Sequence, residues 1–354
     1  MASDSLVSIQ KASYDALDID GLLAPLGGMG SFVHRGRRVL LKVNLLRASR
    51  PEQAVVTDPR MVRAVAEAVL RAGGTPYIGD SPAGPFTKGA LTKVYRMAGL
   101  FEVSRDLGID LNFDTRVEKV EVPNGKRLSS VSMCRFVREA DVVISLPKIK
   151  THGLMVLTLA VKNMFGAVSG MKKAQYHASN MRKSAFADML LDVLSVTPPH
   201  LNIMDGVVGL MGDGPGVSGT PVSLGVVMAS VDPVAMDLSV CRMLGVEPLG
   251  VPVLRAARLR GLWPEGIVYP LLAPKDVVFR GFVVPKESDR LVSGARVPRV
   301  TERCTGCGEC VEVCTCGAVR LVGGRALVDG SRCIRCYCCQ EVCGQRAIVL
   351  EEVS

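Results

Sequence analysis

Aromatic side chains are scarce in this sequence: they make up 5% of its 354 residues, and there is one tryptophan. No uncharged apolar stretch reaches the ~18–20 residues that a membrane-spanning helix needs. The first residues, MASDSLVSIQKASYD, lack the basic segment followed by an apolar one that is typical of an export signal. From these absences we expect a cytoplasmic protein that does not enter a membrane.

Two common nucleotide-binding patterns are also missing. No G-x-G-x-x-G opens a helix after the first predicted strand, and there is no Walker lysine loop. The glycine-rich segment GDGPGVSG precedes a strand rather than a helix, so we interpret it as a loop and not as a phosphate-binding turn. The sequence therefore indicates neither a nicotinamide site nor an ATP site.

The sequence does carry an excess of positive charge. Its formal net charge is +9, and residues 1–298 hold all of it, because seven arginines from Arg299 onward balance seven acidic residues. The basic residues bunch in PKIKTHG and in VKNMFGAVSGMKKAQYH, which favours an anion site there over nucleic acid, since no aromatics are interleaved. A solvated basic surface is the alternative.

Short apolar runs alternate with amphipathic helix patterns before residue 246. Strands are predicted at Arg37–Leu46, in TPYIGDSP, at Ala140–Lys148, in HLNIMDG and in VSLGVVMAS. Helices are predicted at Asp58–Ala72 and Asp232–Gly245, each with an Asp cap, a proline at the first position and a glycine stop. This order predicts an α/β fold, a mainly parallel sheet covered by helices.

Ten of the twelve cysteines lie between Cys304 and Cys343, in CTGCGECVEVC and CIRCYCCQEVC. Both runs have C-x2-C-x2-C-x3-C spacing, which two-cluster bacterial ferredoxins use, with the fourth cysteine of each run binding the other cluster. Two [4Fe-4S] clusters are therefore predicted, one on Cys304, Cys307, Cys310 and Cys343, the other on Cys333, Cys336, Cys339 and Cys314. A pair of zinc sites is the alternative. Cys316 and Cys338 are surplus to the spacing.

Several stretches resemble one known family. They are LLKVNLL, TDPRMVRAVAEAVLRAGG, IGDSP, VVISLPKIKTHGLMVLTLAVKNMFGAVSG, NIMDGVVGLMGDGPGVSGTP and ASVDPVAMD. The chain resembles the DUF362 family, a domain of unknown function that is often fused to a two-cluster ferredoxin module. We expect a DUF362-like domain at 1–298, with a less regular return and linker at 246–298, and a small α+β ferredoxin-like domain at 299–354.

Polar residues end several predicted strands, and in an open parallel sheet ligands bind beyond those ends. We expect one crevice there. The candidate catalytic residues are Lys42, Lys148, His152 and His177, and the candidate binding residues are Asn44, Asp80, Ser81, Lys150, Lys162, Asn163 and Asp205. Lysines there would hold a carboxylate or phosphate, and histidines could supply protons near neutral pH. Lys172 and Lys173 are expected to be solvated, on a loop.

The leading hypothesis is an iron–sulfur oxidoreductase. An external donor of ferredoxin or flavoprotein type would supply single electrons, and a small anionic substrate in the basic crevice would receive them. One alternative is an electron relay that docks a protein partner, and another is a non-redox lyase or isomerase with structural clusters. The oligomeric state stays open.

Overall fold

The computed structural model describes residues 4–180, 182–285 and 297–351. Its strands are β1 (Ser5–Leu6), β2 (Ser8–Lys11), β3 (Arg38–Lys42), β4 (Thr75–Gly79), β5 (Asp110–Leu111), β6 (Val117–Glu121), β7 (Ser130–Cys134), β8 (Val142–Ser145), β9 (Lys148–His152), β10 (Val156–Thr158), β11 (Leu201–Gly212), β12 (Gly219–Ser230), β13 (Ile267–Val268), β14 (Val297–Val300), β15 (Val319–Val322), β16 (Arg325–Val328) and β17 (Ile348–Glu351).

The α-helices are α1 (Ile19–Leu23), α2 (Pro59–Arg71), α3 (Lys88–Met97), α4 (Leu100–Leu107), α5 (Arg135–Arg138), α6 (Ala160–Asn163), α7 (Gly170–Ser179), α8 (Lys183–Val196), α9 (Pro233–Leu244), α10 (Pro252–Leu259), α11 (Glu309–Glu312) and α12 (Cys338–Glu341). Short 3-10 turns lie at Ala24–Leu26, Met29–Ser31, Pro51–Gln53, Met164–Ala167, Pro248–Gly250 and Pro274–Val277. Among the described residues, no helix is both long and apolar enough to cross a bilayer.

Nine strands of the described chain form one central sheet, in the order β10-β9-β11-β8-β3-β4-β5, with β12 beside β11 and β2 beside β12. The pairs between β9 and β5 are parallel, and β10, β12 and β2 add antiparallel pairs. Helices α1 to α4 pack on one face, while α8 to α10 pack on the other. The predicted α/β architecture, a mainly parallel sheet covered by helices, is confirmed.

Local sequence signals account for the helix ends. Asp58 accepts a hydrogen bond from the backbone N–H of Arg60 and begins α2, and Asp232 caps α9 in the same way. Gly245 ends α9 in the left-handed conformation that glycine adopts without strain. Both predicted helices are confirmed within one residue at each end.

Some expectations differ from the structure. The strands in HLNIMDG and VSLGVVMAS form an antiparallel hairpin, because GDGPGVSG is too short for a crossover helix. The segment 246–298, expected to be less regular, contains the regular helix α10. Residues 286–296 of the predicted linker lie outside the described residues. Lys172, Lys173 and His177 lie on α7 rather than on a loop.

The cysteine-rich segment forms a small unit with two antiparallel strand pairs. Its first and last strands, β14 and β17, pair with each other, and β15 and β16 form a hairpin between the two cysteine runs. Strands β15 and β17 follow the two cysteine runs, in CGAVRL and GQRAIVL. Val313, Cys338 and Val342 pack together against Ala83 of the sheet domain.

Polar contacts add to this junction. Arg47 pairs with Glu309 at 2.8 Å, and Gln340 donates to the carbonyl oxygen of Asp213 at 3.3 Å. A Cβ at Gly216 would overlap the carbonyl oxygen of Glu341, so the glycine-rich loop allows α12 to approach closely. The loop GDGPGVSG therefore contacts the cysteine-rich unit directly.

Candidate functional site

A cavity of about 90 Å³ lies where the sheet domain meets the cysteine-rich unit. It is lined by side chains from three sources. The end of β3 and the loops after β3 and β4 contribute Lys42, Asn44, Asp80 and Ser81. The segment from β9 to α7 contributes Lys150, Thr158, Lys162, Asn163, Phe165, Lys173 and His177, and the cysteine-rich unit contributes Val313, Cys338 and Glu341. The cavity thus combines carboxyl ends of parallel strands with residues next to the cysteine runs.

Short local structures hold these side chains in place. Strand β3 ends at Lys42, and β4 ends just before Asp80, so the two side chains leave neighbouring parallel strands at matching positions. Helix α6 presents Lys162 and Asn163, and its first turn is capped by the buried Asp237, which accepts from the backbone N–H of Ala160 at 2.7 Å. Burial raises the pKa of Asp237 to about 8. Asp237 is a positioning residue that the sequence did not single out.

Lys42 is completely buried and fully partnered. Its Nζ lies 2.8 Å from Asp80 Oδ1, 2.7 Å from the Val43 carbonyl oxygen and 3.3 Å from Asn163 Oδ1. These are three acceptors for three ammonium protons. Burial lowers the pKa of Lys42, while Asp80 opposes that shift. Lys42 and Asp80 therefore form a buried ion pair at the cavity wall, and no ammonium proton of Lys42 is left for a ligand.

Gly166 permits this pair to sit where it does. A Cβ at position 166 would overlap both the Asp80 carboxylate and the Lys42 ammonium group. The short turn Met164–Ala167 thus covers the ion pair directly with backbone. A side chain there would displace the buried charges, and we expect the position to tolerate only glycine.

Three other lysines around the cavity are less well compensated. Lys150 is 2% exposed and donates to the Val55 carbonyl oxygen at 2.7 Å. Lys173 donates to the carbonyl oxygen of Ser81. Among the described residues, Lys162 Nζ makes no hydrogen bond or ion pair and lies 5.9 Å from the Phe165 ring centroid.

The pKa values of these lysines reflect this shortage of anions. Burial, reinforced by the charge of Lys162, lowers the pKa of Lys150 to about 7. Burial lowers the pKa of Lys173 to about 8 and also lowers that of Lys162. An anion in the cavity would reverse these shifts, because it stabilises the charged ammonium form.

Both candidate histidines are buried and neutral. Burial, followed by Lys162 and Lys173, lowers the pKa of His177 to about 3, and His177 stacks on Phe186 at 4.2 Å between ring centroids. His152 does not line the cavity. Its Nδ1 accepts from the backbone N–H groups of Leu154 and Met155, and burial lowers its pKa well below the usual value. Neither imidazole is charged at neutral pH, so the expectation of a histidine that titrates near pH 7 does not match this geometry.

Glu341 connects His152 to the cavity. Its Oε1 lies 3.3 Å from His152 Nε2, and its carboxyl group also faces Lys162 and Lys150. Burial raises the pKa of Glu341 to about 7, against the attraction of those lysines. The sequence interpretation missed this residue, because it lies inside a cysteine run and is buried only by contact with the other unit.

Lys148 and Asp205 are not part of the cavity lining. They face each other across β9 and β11, with Lys148 Nζ 2.8 Å from Asp205 Oδ2. Tyr14 completes the set, since it donates to Asp205 Oδ1 at 2.8 Å and accepts from Lys148 at 2.7 Å. The expected convergence of all strand-end residues on one crevice is therefore incomplete: these two charges neutralise each other elsewhere in the core.

The cavity gathers most of the predicted residues and one that was expected to be solvated. Eight predicted residues line it: Lys42, Asn44, Asp80, Ser81, Lys150, Lys162, Asn163 and His177. Lys172 is exposed as expected, but its neighbour Lys173 lines the cavity. The helical geometry of α7 explains why the two lysines differ in exposure, because adjacent side chains on a helix point about 100° apart.

The cysteines of the first predicted cluster surround a second, smaller hollow. Cys304, Cys307, Cys310 and Cys343 all line it, together with glycine and apolar residues. Burial, followed by the thiols of Cys307, Cys343 and Cys304, raises the pKa of Cys310 to about 11. In the described part of the chain, no three Cys, His, Asp or Glu side chains are placed to hold a single metal ion. The four thiols instead face one common hollow, and a cluster held there stays a prediction.

The cysteines of the second predicted set lie near the first set. Burial raises the pKa of Cys339, and the thiols of Cys336, Cys333, Cys310 and Cys314 add to this shift. The surplus cysteines differ in position: Cys316 Sγ lies 3.7 Å from Cys314 Sγ, whereas Cys338 is buried against the cavity. The assignment of each quartet to a [4Fe-4S] cluster stays a prediction.

Comparisons with known proteins extend these observations. The chain is 35% identical over 295 residues to the thylakoid-associated protein sll1697 of Synechocystis, which covers 80% of this chain and 88% of that protein. A shorter match, 42% identical over 50 residues, covers 14% of this chain and 8% of the indolepyruvate oxidoreductase subunit IorA of Archaeoglobus fulgidus.

Two solved structures overlap with the fold at low similarity. The lactate racemase apoprotein of Thermoanaerobacterium thermosaccharolyticum is 13% identical, with a TM-score of 0.38, over 64% of this chain and 54% of that one. A protein of Thermotoga maritima is 9% identical, with a TM-score of 0.33, over 59% of this chain and 52% of that one.

The family is settled by the sheet domain. The family described as "Domain of unknown function (DUF362)" matches residues 39–242, which include β3, β4, α6 and α7 and thus most of the cavity. Together with the relative that shares 35% identity over 80% of the chain, this match identifies the sheet domain. The chain belongs to the DUF362 family.

Proposed function

We propose that this protein is an iron–sulfur oxidoreductase that delivers single electrons to a small anionic substrate in the interface cavity. In this proposal, residues 1–298 bind the substrate and residues 299–354 bind two [4Fe-4S] clusters. When bound, such clusters supply one electron at a time. The match to an oxidoreductase subunit and the cysteine pattern support the redox assignment.

One observation carries the proposal: the lysine-rich cavity has part of its wall in the cysteine-rich unit. Val313 and Cys338, which line it, are the sequence neighbours of the proposed ligands Cys314 and Cys339. A substrate held by Lys150 and Lys162 would therefore lie beside the second quartet. Burial of the site excludes water, which strengthens the attraction between the lysines and an anion.

The residues of the chain have separable tasks in this scheme. Lys162 and Lys150 bind the anionic group and stabilise negative charge that develops during reduction. Glu341, beside Lys162, is placed to hold a proton at its Oε atoms for the substrate. Lys42, Asp80 and Asn163 position the lining, because their hydrogen bonds are already used within the protein.

The test follows reoxidation of the reduced protein by its visible absorbance under anaerobic conditions. Fractions of an extract of the source cells are added, separated into small molecules and proteins, to wild type, Lys162→Met and Lys172→Met. We expect a small-molecule fraction to restore the oxidised spectrum catalytically in wild type and in Lys172→Met, and at least about tenfold more slowly in Lys162→Met.

The other outcomes are equally informative. Reoxidation by a protein fraction alone, unaffected by Lys162→Met, would favour an electron relay to a docked partner. Lys172→Met is the matched control, because it removes the same charge from an exposed position on α7. If neither fraction reoxidises the protein, the oxidoreductase proposal is wrong and the clusters are structural.

A further inference from the structure

Hydrogen-bonding groups that remain unused around the cavity carry information about the ligand. Buried polar atoms in folded proteins nearly always have a partner, so unused ones at a cavity wall indicate what a ligand supplies. Among the described residues, Asn44 Oδ1, Ser81 Oγ, Thr158 Oγ1 and His177 Nδ1 are buried without a partner, and all four residues line the cavity. Lys162 adds a cation without a hydrogen bond.

The orientation of the Asn44 amide follows from its neighbours. Asn163 Oδ1 must be an acceptor, because Lys42, which can only donate, lies 3.3 Å from it. The Asn44 atom that lies 3.1 Å from the same oxygen must then be the donor, Nδ2. The unpartnered atom is therefore the carbonyl oxygen Oδ1, and it requires a donor from the ligand.

The lysines require the opposite kind of group. Lys150 and Lys162 face each other's charge and Glu341, and each has ammonium protons that are not used in the described structure. Asp80 accepts from Lys42, Leu45 N and Ser81 N, and among the described residues it makes no ion pair with Lys150 or Lys162. An oxyanion, either a carboxylate or a phosphate, fits this end of the cavity.

The donor that Asn44 requires is more specific than any N–H or O–H group. Four lysines line the cavity, but only two carboxylates do, Asp80 and Glu341. A positively charged group in the ligand would therefore be repelled. A neutral hydroxyl group avoids this repulsion and can donate to Asn44 Oδ1. A hydroxyl can also accept, which suits the hydroxyl of Thr158.

We infer that the cavity selects a small hydroxylated oxyanion, with its carboxylate or phosphate on Lys150 and Lys162 and a hydroxyl donating to Asn44 Oδ1. This inference rests on the proposed function for the site, but it concerns ligand selection rather than electron transfer. It excludes the corresponding deoxy compounds and amino acids as preferred ligands.

The experiment is a calorimetric titration of the full-length protein with its clusters oxidised, in the absence of any reductant. The carboxylate probes are glycerate, propionate and serine, and the phosphate probes are glycerol phosphate and propyl phosphate. We expect the hydroxylated member of at least one series to bind at least about tenfold more tightly than the deoxy member, and glycerate to bind more tightly than serine if the anion is a carboxylate. The two series show which anion the lysines accept.

Variants assign the selectivity to the residues. Asn44→Leu, which keeps the size of the side chain, should bring the deoxy and hydroxylated probes to within about threefold of each other. Lys162→Met should weaken the whole preferred series by at least about tenfold, and Lys172→Met should change nothing. Visible absorbance and circular dichroism verify that each variant is folded and loaded. If Asn44→Leu does not fold, the ratio of affinities for the hydroxylated and deoxy probes in the wild type decides whether the inference holds.

Equal affinity for the members of both pairs, or no binding by either hydroxylated probe, would overturn the inference. So would selectivity that persists in a folded Asn44→Leu variant. Because no electron is transferred in the titration, a failure here leaves the reoxidation test of the proposed function intact. Conversely, selective binding without any reoxidation would retain the ligand class and reject the oxidoreductase.

Discussion

Buried lysines occur in two kinds of surroundings in this protein. Lys42 and Lys148 each lie 2.8 Å from a carboxylate oxygen, of Asp80 and Asp205 respectively. Lys150, Lys162 and Lys173 line the cavity, and among the described residues none of them has a carboxylate as an ion-pair partner. The same residue type therefore serves the fold where it is paired and remains available to a ligand where it is not.

The physical reason for this difference is the high cost of an unpaired buried charge. For Lys42 and Lys148, the neighbouring carboxylates offset that cost. For the unpaired lysines of the cavity, lowered pKa values reduce the cost, and in our proposal a bound anion offsets it. A lysine without a partner is thus a better indicator of a binding site than a buried lysine as such.

The largest effect should come from breaking a pair. Asp80→Asn leaves the buried Lys42 charge uncompensated, so we expect the free energy of unfolding to fall by about 3–5 kcal/mol. Lys162→Met removes a cation that has no ion-pair partner in the described structure and should change stability by less than about 1 kcal/mol. Urea unfolding followed by circular dichroism measures both. Equal losses of unfolding free energy in the two variants would contradict the distinction between paired and unpaired lysines.

A smaller effect is expected from crowding the same pair. Gly166→Ala would place a methyl group against Asp80 and Lys42, and such overpacking costs about 1–3 kcal/mol. The matched control is Gly89→Ala in α3, where an added Cβ meets nothing within 4 Å. That change should be neutral or stabilise the protein by up to about 1 kcal/mol. The same urea titrations compare the two variants, and a neutral Gly166→Ala would contradict the tight cover over the ion pair.

The smallest effect concerns pH and the lysines of the cavity. The pKa of Lys150 is lowered to about 7 and that of Lys173 to about 8, so both are charged below pH 7 and lose their protons as the pH rises. The groups that face Lys150 are Lys162, Lys148, Glu341 and Asp80. Affinity for an anion should therefore fall between pH 7 and pH 8, by about tenfold if the anion raises one of these pKa values by one unit.

Calorimetric titrations with the preferred anion between pH 6 and pH 9 test this dependence. Lys150→Met should remove the part of the decrease that is centred near pH 7 and leave the part near pH 8, because Lys173 is unchanged. Affinity that is constant across this range would mean that the ligand does not contact these ammonium groups.

Much of the sheet domain could be predicted because its signals are local. The Asp58 and Asp232 caps, each followed by a proline, define two helices within one residue. Apolar runs such as Val39–Leu41 predict buried strands, since a strand between two helix layers must be apolar on both faces. The cysteine spacing predicted which thiols come together, because a tight turn limits where three of them can point.

The sequence by itself determined most of the strands, the two capped helices and the mainly parallel sheet, since each depends on residues close together in the chain. Only the tertiary structure decided which lysines are paired. Lys148 and Lys150 are two residues apart on β9, yet one meets Asp205 and the other lines the cavity. Glu341 and Lys173 became site residues only when the cysteine-rich unit and α7 packed over the sheet, because charge compensation depends on distances that no short stretch of sequence specifies.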